Sequence, residues 1–261
     1  MARPALFLLL FCATNASLAL LCPFSLAHLL LATVLYALGT GVMLYLLFNP
    51  RNQWLVANRS QVESGCVALS FDDGPDPVDT PKLLDLLREK NVKATFFVVG
   101  RRAEQHPDIV RRAWDEGHLI ANHTWSHPPL FCFLSPRRLR SEIERNSECI
   151  ERICGMPTHY FRSPVGLRHP LLQRAIQKAG LEYISWRLRS CDTMIKNSAS
   201  LARRILSKAA NRDIILMHDC LPKGAQAMLE ILPGVIDELK KRGFEFVLVG
   251  SRETVRGPAD L

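Results

Sequence analysis

The chain has 261 residues, with 33 Lys and Arg against 25 Asp and Glu, for a formal net charge of +8. That length accommodates one large α/β domain or two modest ones. The basic balance carries no aromatic-basic interleaving and no zinc knuckle, so it does not point to nucleic acid.

The charge is unevenly spread. From Pro4 to Pro50 there is no Asp, Glu, Lys or Arg. As helix this stretch would measure roughly 70 Å, at ~1.5 Å per residue, against a hydrocarbon core of about 30 Å. One crossing cannot use that length, whereas a transmembrane helical hairpin can. Pro23 and Ser25 mark the turn. Ala5 to Leu21 is the weaker span, since it holds Thr14, Asn15 and Ser17; Phe24 to Phe48 is the stronger. Two other readings stand beside the hairpin. Arg3, an apolar run and the small residues Ala16, Ser17 and Ala19 also suit a cleavable signal peptide, and a single anchor is the third possibility. For the hairpin, Arg3, Arg51 and Arg59 place both ends, and with them the soluble domain, on the cytoplasmic face of a bacterial-type inner membrane. Cys66, Cys132, Cys149, Cys154, Cys191 and Cys220 form no dense framework and fit reduced thiols there. A single uncleaved anchor puts the domain outside. Dispersed basic pairs such as Arg101/Arg102 and Arg137/Arg138 read as solvated helix faces, and also suit a membrane lipid partner with anionic headgroups.

Residues 1–48 are therefore expected to be a membrane anchor, 49–64 a tether, 65–250 the catalytic domain and 251–261 a tail. Within 65–250, short apolar runs alternate with helical patterns. Strands are expected at Cys66–Phe71, Ala94–Val99, His118–Asn122, Thr158–Phe161, Glu182–Trp186, Asp213–Met217 and Phe244–Val249. Helices are expected at Thr80–Lys90, Asp108–Glu116, from Pro136 to Cys154, Pro170–Ala179, Ser200–Ala209 and from about Gly224 to Arg242. Such alternation predicts an α/β domain with a parallel sheet, and seven strands suit a closed or nearly closed barrel. Chemistry in that architecture collects at the C-terminal ends of the strands.

Several strands end in polar residues. The first closes on Asp72-Asp73-Gly74-Pro75, whose adjacent carboxylates can converge on one ion at a turn; the bland alternative is an acidic helix cap. The third runs into His123-Thr124-Trp125-Ser126-His127. Two His four apart would share one face of a helical turn, as in many zinc sites; the bland alternative is a surface pair beside a Pro-Pro turn. With Asp73 the count is two imidazoles and one carboxylate, which leaves positions open as catalytic zinc sites do. His106, His118, His159 and His169 read as structural or surface groups, and Cys149 and Cys154 as buried thiols.

Asp-Asp-Gly-Pro, His-x-x-x-His, Arg162-Ser163-Pro164-Val165-Gly166 and Leu216-Met217-His218, in this order, resemble the motifs of the polysaccharide deacetylase family (the NodB-homology or carbohydrate esterase 4 group) over about residues 65–250. The resemblance implies a distorted (β/α)7-8 barrel, a divalent metal that is most often zinc, and removal of N-acetyl groups from amino sugars. It implies Asp73, His123 and His127 as metal ligands, Asp72 as general base and His218 as general acid. It further implies Arg162 as the partner of Asp72, Asp192 as the support of His218, and Leu216 as the pocket for the acetyl methyl.

Three departures stand out. Val165 replaces a usual Tyr, although the backbone N–H beside Pro164 can still serve an oxyanion. Arg189 replaces the first Asp of the fourth motif, and Thr193 replaces its Trp. None removes a ligand, base or acid, so an active enzyme is expected, with a membrane glycolipid as the favoured amino-sugar substrate. A cell-wall polymer acted on outside the membrane, and a non-catalytic glycan binder, are the alternatives.

Overall fold

The computed structural model describes residues 26–49 and 52–250. The weaker apolar run, and with it the first half of the expected hairpin, lies outside the described residues. The stronger run forms α1, Leu26–Phe48, the one described helix long and apolar enough to cross a membrane. Its side chains are mostly exposed, and Leu46 is its single buried residue.

The domain then runs β1 (Asn58–Arg59), β2 (Cys66–Asp72), α2 (Asp79–Glu89), β3 (Thr95–Val98), α3 (Gly100–Gln105), α4 (Pro107–Asp115), β4 (Leu119–Asn122), α5 (Pro136–Cys154), β5 (Tyr160–Phe161), α6 (Leu172–Lys178), β6 (Glu182–Ile184), β7 (Leu188–Arg189), α7 (Ser198–Lys208), β8 (Ile214–His218), α8 (Gln226–Lys241) and β9 (Glu245–Phe246). Every strand ladder among the described residues is parallel, in the order β1-β6-β5-β4-β3-β2-β8-β7, with β9 against β2. Of the closed or nearly closed barrel expected, the sheet takes an open form. The path ends at β1 and β7, which do not pair, so the sheet is a curled half-barrel. Residues 185–187 cross from β6, near one edge, to β7, which is the other.

Two missed strands explain that difference. β1 and β7 are two residues each, too short for a period-2 pattern to declare itself. β1 also corrects the tether. From Leu55 onward the segment belongs to the domain: Leu55 and Val56 are buried, β1 pairs with β6, and the buried Arg168 donates to the Asn52 carbonyl.

Strand alternation separates two interiors. From β2, Val67, Leu69 and Phe71 pack outward under α2 and α8 with Leu83, Leu84, Leu87, Leu232 and Ile236. Ala68 faces inward with Phe97, Ala121, Ile214, Leu216 and Trp186. By the same alternation Ser70, Asp72 and His218 point into the curl, so the apolar inner face turns polar at the C-terminal strand ends. A third cluster joins Leu46 and Leu55 to Phe131, Leu139, Phe161 and Leu172.

His118 is structural, as expected. Its Nδ1 accepts from the Ala94 N–H at 3.1 Å, its ring meets Phe96 edge-on, and burial beside Lys93 and Arg112 pushes its pKa down to about 3. The folded state keeps His118 neutral, whereas the unfolded chain protonates it near its ordinary value of 6.5. Its contribution to stability is therefore present above that pH and is lost as pH falls toward 3, by up to about 1.4 kcal/mol per pH unit. His118→Gln should flatten the acid side of a Tm-against-pH curve; an unchanged slope would contradict the assignment.

Candidate active site

The register does most of the assembly. Asp72 is the Cα partner of His218 across β2 and β8, and of Phe97 across β3. A carboxylate and an imidazole thus stand side by side at one level of the inner face. The backbone then breaks the alternation: Asp73 has φ 76°, a left-handed conformation that Asp tolerates better than most residues. That turn lets a second, consecutive carboxylate reach the same space. Gly74 has no room for a side chain, because a Cβ there would lie 2.1 Å from Asp219 Oδ2. The Arg102 guanidinium donates to the Asp73 carbonyl at 2.5 Å, and Val99 N–H donates to the Gly74 carbonyl at 2.9 Å.

His123 and His127 meet as expected, but not on a helical turn. They sit in a loop with Thr124 at φ 70° and His127 at φ 50°. Side chains supply what helix bonds would have given. Asn122 Oδ1 accepts from Thr124 N–H, Thr124 Oγ1 accepts from His127 N–H, and the Glu142 carboxylate accepts from both the N–H and hydroxyl of Ser126. The ring centroids are 5.1 Å apart. Asp73 Oδ1 lies 3.1 Å from His127 Nε2 and 3.4 Å from His123 Nε2, and the three donor atoms fall within 4.8 Å of one another.

This donor set fits a divalent cation. His123 Nδ1 is 2.8 Å from the Arg162 carbonyl, which can only accept, so the proton sits on Nδ1. In the neutral ring Nε2 then presents a lone pair to the Asp73 carboxylate inside the protein. Two acceptors face each other there, an arrangement that a cation between them satisfies; the Nδ1–H to carbonyl bond is the outer support that metal-binding histidines commonly carry. Two nitrogens and one oxygen are a composition typical of zinc.

Arg162 is the most committed polar side chain of the domain. It is fully buried, donates to Asp72 Oδ1 at 2.6 Å and Ser70 Oγ at 3.0 Å, and reaches the carbonyls of Ile184 and Ser185. Its guanidinium lies 3.9 Å from the Phe97 ring centroid and 5.5 Å from that of Trp186. Trp186 presses on Gly166, where a Cβ would come within 2.4 Å of the indole.

His218 is anchored twice by one carboxylate. Its Nδ1 is 2.8 Å from Asp192 Oδ1, and its backbone N–H donates to Asp192 Oδ2 at 2.7 Å. Nδ1–H is thereby committed, and Nε2 is the atom left to face the curl. Burial lowers the His218 pKa, yet Asp192 and then Asp72 and Asp73 outweigh it, so the pKa is raised. Leu216, two residues earlier, points into the same interior. Pro164 is buried, whereas Val165 is exposed at φ 56°, strained for a β-branched residue.

Sequence reasoning missed Asp219. It is buried under the Asp72–Pro75 turn, accepts from the Thr80 hydroxyl at 2.6 Å, and leaves Oδ1 without a partner among the described residues. Burial pushes its pKa up to about 7. A charged residue one place past a strand end reads as solvent-facing, and only the fold shows it pinned beneath Gly74.

A carboxylate and an imidazole thus stand on adjacent strands beside three side chains that could hold a metal ion. The family model for polysaccharide deacetylase matches residues 59–184. A peptidoglycan-N-acetylglucosamine deacetylase from Bacillus cereus is 35% identical over 71% of this chain and 67% of its own length. A chitooligosaccharide deacetylase from Azorhizobium caulinodans is 33% identical over 72% of this chain and 94% of its own. The crystal structure of the Bc1960 peptidoglycan N-acetylglucosamine deacetylase superposes with a TM-score of 0.71 at 33% identity, covering 74% of this chain and 91% of that one. The chain belongs to the polysaccharide deacetylase family. It is a hydrolase of carbon-nitrogen amide bonds, a carbohydrate N-deacetylase.

Proposed function

We propose that this enzyme removes the N-acetyl group from N-acetylglucosamine-type units of a glycan held at a membrane, with Asp72 as base and His218 as acid. The observation that carries this reading is the side-by-side register of Asp72 and His218 next to the cluster of Asp73, His123 and His127.

Asp73, His123 and His127 would hold the cation, and their donor set suits Zn2+; when bound it would supply Lewis acidity that polarises a carbonyl and acidifies water. Asp72 accepts the proton of the attacking water, and Arg162 keeps that carboxylate in position. The water oxygen adds to the acyl carbon, and the Val165 N–H beside Pro164 is available to the developing oxyanion. His218 Nε2 then protonates the departing nitrogen; the C–N bond breaks, leaving acetate and a free amine. Leu216 supplies apolar surface for the acetyl methyl.

The raised pKa of His218 keeps the acid form available to higher pH. Asp192→Asn removes its leading support and leaves only Asp72 and Asp73 to oppose burial, which lowers it. The basic limb of the kcat profile should therefore move to lower pH, and kcat should fall by about 10²-fold. A limb that stays in place would assign Asp192 a structural role only.

The carrier of the sugar follows from the anchor. α1 is about 35 Å long at ~1.5 Å per residue, close to the ~30 Å hydrocarbon core, and its apolar side chains are exposed. We read residues 1–48 as membrane anchor, 65–250 together with the segment from Leu55 as catalytic domain and 251–261 as tail, with a lipid-linked amino sugar as the substrate. The second reading, a wall polymer outside the membrane, draws on the names of the relatives above. Labelling intact cells with an impermeant thiol reagent separates them. Cys191 is half-buried at a turn while Cys66, Cys132, Cys149 and Cys154 are buried. Reaction only after lysis supports the cytoplasmic, lipid-linked reading; reaction of intact cells supports the polymer. The activity itself is tested by acetate release from N-acetylated chito-oligosaccharide; no release in the presence of zinc would refute it.

A further inference from the structure

We infer that the open seam of the half-barrel holds a phosphate-binding site for a membrane lipid, at the point where α1 meets the domain. The inference rests on the reading of α1 as a membrane span. A cavity of about 460 Å³ lies there, lined by Arg187, Arg189, Arg204, Lys208 and Asn49, among others. Its volume is in the range of small-molecule sites.

The cations converge for geometric reasons. Arg187 and Arg189 are two apart in extended chain and share one side of the edge strand. Arg204 and Lys208 are four apart on α7 and share one helix face. Arg204 is held by the Arg189 carbonyl, to which its Nε and Nη2 donate at 3.3 and 3.2 Å. The single carboxylate of the cavity, Asp213, is 3.5 Å from Arg187. Among the described residues no carboxylate lies within ion-pair distance of Arg189, Arg204 or Lys208. Four like charges around one space repel one another, and an anion relieves that repulsion.

Asn49 identifies the anion's source. It follows the last residue of α1 and still donates its N–H to the Tyr45 carbonyl at 3.0 Å, so it continues the helix. A helix that spans the hydrocarbon and ends at Phe48 brings Asn49, which lines the cavity, to the level of lipid phosphates. The ligand is a phosphate ester bearing an apolar chain, either a phospholipid or the carrier of a lipid-linked sugar. Arg189, where the family resemblance implies Asp, belongs to this site; it pairs with Leu216, and Arg187 and Asp213 lie at the start of β8, so the cavity sits below the level of Asp72 and His218.

The test uses the full chain in a neutral detergent with three probes: dioctanoyl phosphatidic acid, dioctanoylglycerol and inorganic phosphate. Phosphatidic acid should bind at least tenfold more tightly than inorganic phosphate, and dioctanoylglycerol should not compete. Arg189→Glu with Lys208→Glu should weaken phosphatidic acid at least tenfold, and Lys208→Glu alone, at an exposed position, by a smaller factor. Acetate release from phosphate-free chito-oligosaccharide should be unchanged in both. Adding a prenyl phosphate-linked N-acetylglucosamine tells the two lipid sources apart: a KM raised by the variants makes the phosphate the substrate's own, and an unchanged KM makes it a phospholipid's. Equal binding of phosphatidic acid to wild type and double variant overturns the site, and so does inorganic phosphate binding as tightly as the lipid. Loss of chito-oligosaccharide turnover in the wild type, with phosphatidic acid still bound, would count against the catalytic reading and not against this one.

Discussion

Asp72→Asn is expected to lower kcat by about 10²–10⁴-fold, the usual contribution of a positioned general base, while the chain still takes up zinc. The amide is nearly isosteric with the carboxylate, can accept from Arg162, and cannot accept a proton from water. Asp72 is 3.8 Å from His123 Nε2, farther than Asp73 is from either imidazole, so its loss spares the donor set. Acetate release measured beside metal content checks the split. Full turnover in Asp72→Asn would move the base elsewhere.

The second large effect falls on Arg162. Arg162→Met removes the cation from a buried pair and leaves Asp72, together with the carbonyls of Ile184 and Ser185, without a donor. Breaking a buried pair from one side costs about 3–5 kcal/mol. For a domain of this size that corresponds to a Tm lower by roughly 6–20 °C. Adding Asp72→Asn to Arg162→Met removes the stranded charge, so the double variant should regain part of the lost Tm and none of the activity. If the single variant melted like the wild type, Arg162 would not be the counter-charge that the geometry describes.

These two residues also show how far the sequence could be read unaided. The long elements were legible because their patterns repeat: α5 announces itself with Ser135-Pro136 and ends at Gly155 in a left-handed conformation. The curl was only half legible. β1 and β7 have two residues each, and they decide that the sheet stays open. Motif order pointed to Asp73, His123 and His127, yet the expected helical turn is a loop, since its hydrogen bonds come from Asn122, Thr124 and Glu142 across the fold. Asp219 was invisible for a related reason: its burial depends on Gly74, which is 145 positions earlier in the chain. Charges that are buried only through tertiary contact leave no local periodicity.

The central claim is that Asp73, His123 and His127 form the metal centre of an N-deacetylase. The most direct measurement is zinc stoichiometry of the metal-stripped, zinc-titrated full chain, wild type against His123→Ala, with acetate release recorded on the same samples. The account predicts one zinc per wild-type chain with activity returning in proportion, and neither zinc nor activity in His123→Ala. Stoichiometric zinc in His123→Ala, or full acetate release from metal-stripped wild type, would contradict it.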